Sequence, residues 1–515
     1  MSDPDAIVIG VDMGSTSTKS VAYDTGGRPL ASRTVHYPHR NPHPGYAEQD
    51  PRLILDAVVK TVAGVATKCD GKVLAVSFSS AMHTLIGLDR HGSPLTPLLT
   101  WADTRASAQA ERMRAAPGGL ALHQRTGTPL HPMAPLPKLA WFHEEQPGLA
   151  ARVRYWVGIK DYVLLELLGV LITDHSLASA TGLLDIHRRQ WDPEALQLAA
   201  VSADQLPELV PTTKVLPALS AKAAQAMQLP ASTPVIAGAG DGPLANLGVG
   251  AVRPGVGACS IGTSGALRVA VERPVVDPQG RTFCYALTEQ RWVVGGSINN
   301  GGLVLQWAGD ALAPELGNGR EDQLLAQAAA VPPGSGGLIM LPYLHGERAP
   351  HWDSFPCGVY VGLTRGHGRA HLVRAALEGV CQQLALVLES VRAAGNEVHE
   401  IRATGGFARS DLWRRILAGA LGRPIGFPRG HEGSAFGAAL VGMEALGLVE
   451  SIGVAADLVR IEDVVEPDRD EAATYARALP TFAGLYDALE PAFRALQTLA
   501  EHEAPAADPA REDSS

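Results

Sequence analysis

A chain of 515 residues is long enough for two to four domains of ordinary size. Its 46% hydrophobic and 19% charged content excludes disorder along the whole length. Asp and Glu outnumber Lys and Arg by 53 to 43, a net charge of −10. That argues against a general nucleic-acid binder, which needs a basic face, and leaves room for local basic sites that hold small anions.

The five cysteines, Cys69, Cys259, Cys284, Cys357 and Cys381, are odd in number, scattered and without a CxxC pair. Neither a disulfide framework nor a zinc site of the usual spacing is expected. The N-terminus, Met1-Ser2-Asp3-Pro4-Asp5, is acidic and lacks an apolar signal region. The longest apolar run, Tyr162 to Thr173, is broken by Glu166 and is too short to span a bilayer. A cytoplasmic setting with no membrane partner is the expectation.

Residues 6–11 form a β-branched apolar run, as a buried strand requires. The polar loop Asp12 to Lys19 leads from it into a second strand, Ser20 to Tyr23; the turn Asp24 to Gly27 and a third strand, Leu30 to Tyr37, follow. The loop thus joins strand to strand, and the GxxxxGK[ST] spacing of a P-loop is absent. Its small residues Gly14, Ser15, Thr16 and Ser17 let backbone N–H groups approach phosphate oxygens. Asp12 at the strand end suits Mg²⁺, and Lys19 adds positive charge. Alone, the loop reads more simply as a polar turn capped by Asp12.

Helical spacing follows over Arg52 to Ala66. Polar groups then stand beside apolar runs: Ser80-Ala81-Met82-His83, Trp101-Ala102-Asp103-Thr104-Arg105 and Lys160-Asp161. This mixture suits a polyhydroxylated ligand, since carboxylates accept from sugar hydroxyls and cations pair with an anionic group. Taken singly, each is an ordinary structural hydrogen-bonding residue. The small-residue strand Val235 to Gly240 ends in Asp241-Gly242. Glycines clear room beside Asp241, which can act as a general base; standing alone it would be a turn aspartate. GxGxG here is not the dinucleotide fingerprint GxGxxG.

Cys259-Ser260-Ile261-Gly262-Thr263-Ser264-Gly265 repeats the logic of the first loop and leads into a strand, Ala266 to Val271. Two related domains, or two unrelated hairpins in one large protein, both fit that repetition. Two such turns together are more specific than one, because a nucleotide held across two domains needs both. A helix is expected over His371 to Ala394, ended by Gly395. Thr404 to Trp413 reads as strand, Gly405-Gly406, then helix, a place for a flat base or sugar to lie on backbone. Glu501 to Ser515 reads as a disordered tail. The alternation of strands and helices gives an α/β class.

Over residues 6–445 the chain resembles the FGGY family of carbohydrate kinases. Met133 to Trp141, with Lys138 and Trp141 at the signature spacing, carries the likeness. So do Gly358 to Leu363 with His371-Leu372 and Ala375 to Glu378, and Gly45 to Pro51. The resemblance implies two actin-like, ribonuclease H-like domains with a nucleotide and sugar cleft between them. It implies a sugar-binding domain at 1–248, a nucleotide-binding domain at 249–480, and a C-terminal helix and disordered tail at 481–515. It implies ATP and Mg²⁺ as cofactors, Asp241 as catalytic base, and Asp12 and Asp241 at the metal. Asp12, Gly14, Ser15, Thr16, Ser17 and Lys19 would serve the phosphates. Gly262, Thr263, Gly302, Gln306, Gly405, Gly406 and Ser410 would serve the nucleotide; some relatives have Asn in place of Ser410.

Within the family, Ser77 to His83, Thr100 to Arg105, Arg125 to Pro132 and His175 to Gly182 resemble bacterial gluconokinases. Xylulokinases usually show Gln-Met-His at Ala81-Met82-His83 and Asp-Asn at Asp241-Gly242. The resemblance implies phosphorylation of D-gluconate, a sugar acid, at its C6 hydroxyl to give 6-phosphogluconate and ADP. Ala81, Met82, His83, Trp101, Asp103, Arg105, Lys160, Asp241 and Gly242 would then line the substrate site, with His83, Arg105 and Lys160 as candidates for its carboxylate. Two other readings stay open: a kinase of the same family acting on xylulose, ribulose or glycerol, and a non-catalytic actin-like ATP-binding protein. Members of the family are often dimers, so a homodimer is one assembly the resemblance allows.

Overall fold

The computed structural model describes residues 6–69, 71–317, 319–429 and 433–503. Its first sheet is built from β1 (Ala6–Met13), β2 (Ser17–Asp24), β3 (Pro29–His36), β4 (Lys72–Ser80) and β5 (Val235–Gly240), in the order β5-β4-β1-β2-β3. β1 runs antiparallel to β2 and parallel to β4, while β3 is antiparallel to β2 and β5 parallel to β4. β1 is buried on both faces, which is why it reads as an unbroken apolar run rather than an alternating one. Helix α1 (Pro51–Ala66), capped by the Asp50 side chain, covers β2 and β3. Between β4 and β5 the chain inserts a region with a core of its own, which includes α2 (Pro135–Glu145). α3 (Asp241–Gly248) follows β5 without a loop.

The second sheet contains β6 (Val256–Ile261), β7 (Gly265–Val271), β8 (Phe283–Ala286), β9 (Trp292–Ile298), β10 (Glu400–Thr404), β11 (Ile425–Pro428) and β12 (Ile461–Val465). Their order is β8-β9-β7-β6-β10-β11-β12. The five strands β11-β10-β6-β7-β9 repeat the order and the orientations of the first sheet. Each sheet therefore opens with the same strand–turn–strand unit. α4 (Leu303–Leu312) follows β9. α5 (Arg369–Ala393) is buried along most of its length and is followed by Gly395 at φ +86°, a left-handed ending that glycine permits. α6 (Asp411–Leu421) packs beside it.

α7 (Gly433–Ala445) comes late in the chain yet lies on β1 and β4 of the first sheet and against α3. Gly10 lets it settle there: a Cβ on Gly10 would sit 1.9 Å from the Ala435 carbonyl oxygen. Gly437 similarly abuts the Leu244 carbonyl oxygen, at 2.5 Å from where its Cβ would be. The main hydrophobic cluster accordingly includes Val8 and Val21 as well as the interior of the second sheet. The last helix, α8 (Arg469–Glu503), begins well before the expected residue 481 and takes in residues 501–503 of the expected tail. Burial of Tyr475, Phe482 and Phe493 holds it to the second half. Residues 504–515 lie outside the described residues. No described helix is long and apolar enough to cross a membrane.

Candidate active site

Two cavities adjoin at the edges of the sheets. The larger, about 1240 Å³, is lined from the second half only and includes Gly262, Thr263, Gly302, Gln306, Gly406 and Ser410. The smaller, about 410 Å³, takes Met82, His83, Trp101, Asp241 and Gly242 from the first half. From the second it takes Gly405, Arg268, Tyr285 and Arg348. Gly262 lines both, so the cavities meet at the β6–β7 turn. The loop Gly14 to Lys19 lines neither; it is joined to the smaller cavity through Trp101, whose indole N–H donates to Ser15 Oγ at 2.9 Å.

Local backbone explains the walls of the larger cavity. The Gly302 N–H donates to the Gly262 carbonyl at 2.6 Å, tying the β6–β7 turn to the start of α4. A Cβ on Gly301 would lie 2.5 Å from the Ser264 oxygen, so only glycine lets the two segments touch. Gly405 stands at φ +123°, with its missing Cβ 2.1 Å from the Ile261 oxygen. The double glycine leads into a 3₁₀ turn, Gly406–Arg409, rather than directly into the expected helix. Ser410 then caps α6, its Oγ accepting from the Trp413 N–H at 3.3 Å.

Two carboxylates stand at strand ends of the first sheet, one on the central β1 and one after the edge strand β5. Asp12, near the end of β1, accepts from Ser79 Oγ at 2.8 Å and from the Ser434 hydroxyl, and pairs in register with Lys19 on β2. Burial raises its pKa against the opposing pull of the hydroxyls and Lys19. Asp241, the first residue of α3, accepts from the Gly242 N–H at 2.7 Å. Burial and then the charge of Asp12 push its pKa up to about 7, with Arg268 opposing.

On the smaller cavity's first-half wall, His83 holds φ +62° and its Nδ1 lies 2.8 Å from the Ala180 carbonyl. Burial, with Lys138 adding to it, pushes the imidazole pKa down to about 3, so the ring is neutral. With Nδ1–H given to Ala180, Nε2 is an acceptor, 3.4 Å from the Tyr285 hydroxyl. Lys138 on α2 donates to the carbonyls of His83, Thr100 and Met133 at 3.0, 2.6 and 2.7 Å. It thereby pins the loops that carry His83 and Trp101. Ala81 is buried beside Met82 and does not line the cavity.

Asp103, Arg105 and Lys160 lie elsewhere. Arg105 pairs with Glu48 at 2.6 Å and Asp103 at 2.7 Å, its guanidinium 3.7 Å above the Tyr46 ring. Lys160 is fully buried and paired with Asp174 at 2.6 Å. Arg105 and Lys160, expected to be open to a substrate carboxylate, thus have carboxylate partners of their own and line neither cavity, while His83, the third candidate, lines the smaller cavity as a neutral ring. The cations that do line the cavity are Arg268 and Arg348, which motif reading passed over. Arg268 had a signal of its own: it is the one charge in the apolar strand Gly265–Val271. Arg348 donates from Nη2 to the Ile298 carbonyl at 3.0 Å and stands 4.7 Å from the Trp101 ring centroid.

The geometry has parallels across most of the chain. Residues 7–248 match the model of the FGGY family of carbohydrate kinases, N-terminal domain, and residues 257–446 match its C-terminal domain. The chain is 40% identical over 492 residues to a gluconokinase of Bacillus subtilis (strain 168), covering 94% of this chain and 96% of the relative. The solved xylulose kinase from Lactobacillus acidophilus superposes with a TM-score of 0.91 at 35% identity, over 95% of this chain and 100% of that one. Gluconate kinase from the same species gives a TM-score of 0.90 at 35% identity, over 95% and 99%. These neighbours have the two-domain actin-like, ribonuclease H-like fold. One family match spans the first sheet and the other all but the last strand of the second, and the cleft between them carries a carboxylate beside a large second cavity; the chain belongs to the FGGY family of carbohydrate kinases.

Proposed function

We propose that this protein transfers the γ-phosphoryl group of ATP to the C6 hydroxyl of D-gluconate, giving 6-phosphogluconate and ADP. The observation that carries the reading is the position of Asp241: it lines the cavity that adjoins the larger one at Gly262, in a chain 40% identical to a gluconokinase. The larger cavity, with its exposed glycine backbone, takes the nucleotide, and the smaller takes the sugar acid. Asp241 accepts the C6 hydroxyl proton as the O6–phosphorus bond forms and the bond to ADP breaks. His83 Nε2 accepts from a sugar hydroxyl, and the Trp101 ring forms an apolar wall.

Mg²⁺ fits the chemistry of Asp12 and Asp241, two half-buried carboxylates, with the charge of Asp12 adding to the cost of ionising Asp241. It uses one or two carboxylates and leaves its other positions to phosphate oxygens and water. Among the described residues no cluster of three or more His, Cys, Asp or Glu forms a cage of protein ligands alone. When bound, Mg²⁺ neutralises charge on the transferring group. Ser79 and Ser434 hold the Asp12 carboxylate in place.

The test is ADP release with Mg-ATP across D-gluconate, D-xylulose, L-ribulose and glycerol, with Asp241→Ala as control. A selective signal on gluconate that disappears in the variant supports substrate and base together. The likeness to a xylulose kinase structure keeps one second reading in view. A signal on D-xylulose with none on gluconate would replace the substrate and leave the kinase in place.

A further inference from the structure

We infer that Arg268 and Arg348 together receive the anionic end of the substrate, and that Arg268, with the space left by Gly242, sets the choice of a sugar acid over a neutral sugar. This rests on the gluconokinase reading and adds the residues that would decide it.

Both guanidiniums belong to the smaller cavity. Among the described residues neither forms an ion pair with a carboxylate, unlike Arg105 and Lys160. Arg348 is 7% exposed and its Nε is buried without a hydrogen-bond partner. Burial lowers its pKa to about 10; the charge of Glu347 opposes that, and the charge of Arg268 adds to it. Asp241 and Glu347 act on these charges from a distance, yet neither lies within ion-pair reach, so each guanidinium keeps donors for an anion that enters the cavity. A carboxylate offers both forks the planar, two-oxygen partner their geometry fits.

Their place along the sheet separates this anion site from the phosphate turns. Ala266 and Arg268 both line the cavity from β7, and Arg268 lies two residues further from the Gly262–Gly265 turn, about 7 Å of strand. Gly242 provides the room. A Cβ there would already stand 3.7 Å from Arg268 Nε, 4.0 Å from its Nη2 and 3.2 Å from Met82 Sδ. Anything longer would press on the guanidinium, so a bare residue 242 and an arginine at 268 form one device.

The experiment measures kcat and KM for D-gluconate and D-xylulose at saturating Mg-ATP in the wild type, Arg268→Met, Arg268→Lys and Gly242→Asn. The wild type is expected to prefer gluconate. Arg268→Met should lower the ratio of kcat/KM for gluconate to that for D-xylulose about 100-fold, mainly through the gluconate KM. Arg268→Lys should restore part of it, and Gly242→Asn should lower the ratio about tenfold. Should Arg268→Met fail to fold, the Gly242→Asn ratio, on a different element, decides the matter. A ratio that survives substitution, or an equal loss on both substrates with a raised Mg-ATP KM, overturns the inference and leaves gluconate as substrate. A wild type that itself prefers D-xylulose overturns both.

Discussion

Lys138 has a side chain with 0% exposure whose ammonium donates to three main-chain carbonyls. Its three donors match three acceptors on separate loops, and His83 sits in one of these loops at positive φ. Replacing it by Met keeps much of the volume and leaves three carbonyls without their partner. Lys138→Met should destabilise the protein by about 3 kcal/mol and raise the sugar KM about tenfold through the displaced His83 and Trp101 loops. Chemical denaturation and steady-state kinetics on the same preparation check this; an unchanged sugar KM would reduce Lys138 to a support of the fold. Asp241 shows the same dependence on surroundings. The start of a helix favours a carboxylate, yet burial and Asp12 outweigh that and bring its pKa to about 7.

At the scale of elements, the crossing of α7 over β1 joins a helix from late in the sequence to the first sheet. The contact is backbone on backbone at Gly10, so a methyl group there has no flexible neighbour to push aside. Gly10→Ala should cost about 3 kcal/mol or more and shift the denaturation midpoint accordingly. A variant as stable as the parent would mean that α7 can move off the sheet freely. Much of this level was legible beforehand. The Gly14 and Gly262 turns, Asp241 at a strand end and the Gly405-Gly406 break all announce themselves through composition at the end of an apolar run. The placement of α7 did not, because its near-uniform apolar face says only that it is buried, not against which sheet.

At the scale of the molecule, burial lowers the pKa of His143 among the described residues and, further, of four more deeply buried histidines. The pKa of His83 falls to about 3, those of His123 and His351 to about 4, and that of His131 well below its ordinary value. The unfolded chain protonates the same rings near pH 6.5. Below that pH it binds more protons than the folded protein, so stability present above pH 6.5 is lost as the pH falls toward 4 and then 3. Each ring contributes about 1.4 kcal/mol per pH unit within its window. The acids Asp241 and Glu347, pushed up to about 7, and Asp161, pushed up to about 6, act in the opposite sense over the same range, so the histidines are read by difference. Between pH 6 and 4.5 the melting temperature of His123→Gln should fall less, or rise more, than that of the parent. Parallel pH profiles for the parent and His123→Gln would contradict the buried neutral state of that ring.

The sequence alone determined the α/β class, the family and the turns at the strand ends, because those signals are local: glycine, small hydroxyl residues and an acid at the end of a buried strand. It did not determine which cations line the smaller cavity. Arg105 and Lys160 looked available until folding brought Glu48, Asp103 and Asp174 against them. Arg268 and Arg348 are 80 positions apart and meet in one cavity only when the second half is assembled. Charge pairing depends on where side chains point in three dimensions, and that was decided by the tertiary structure.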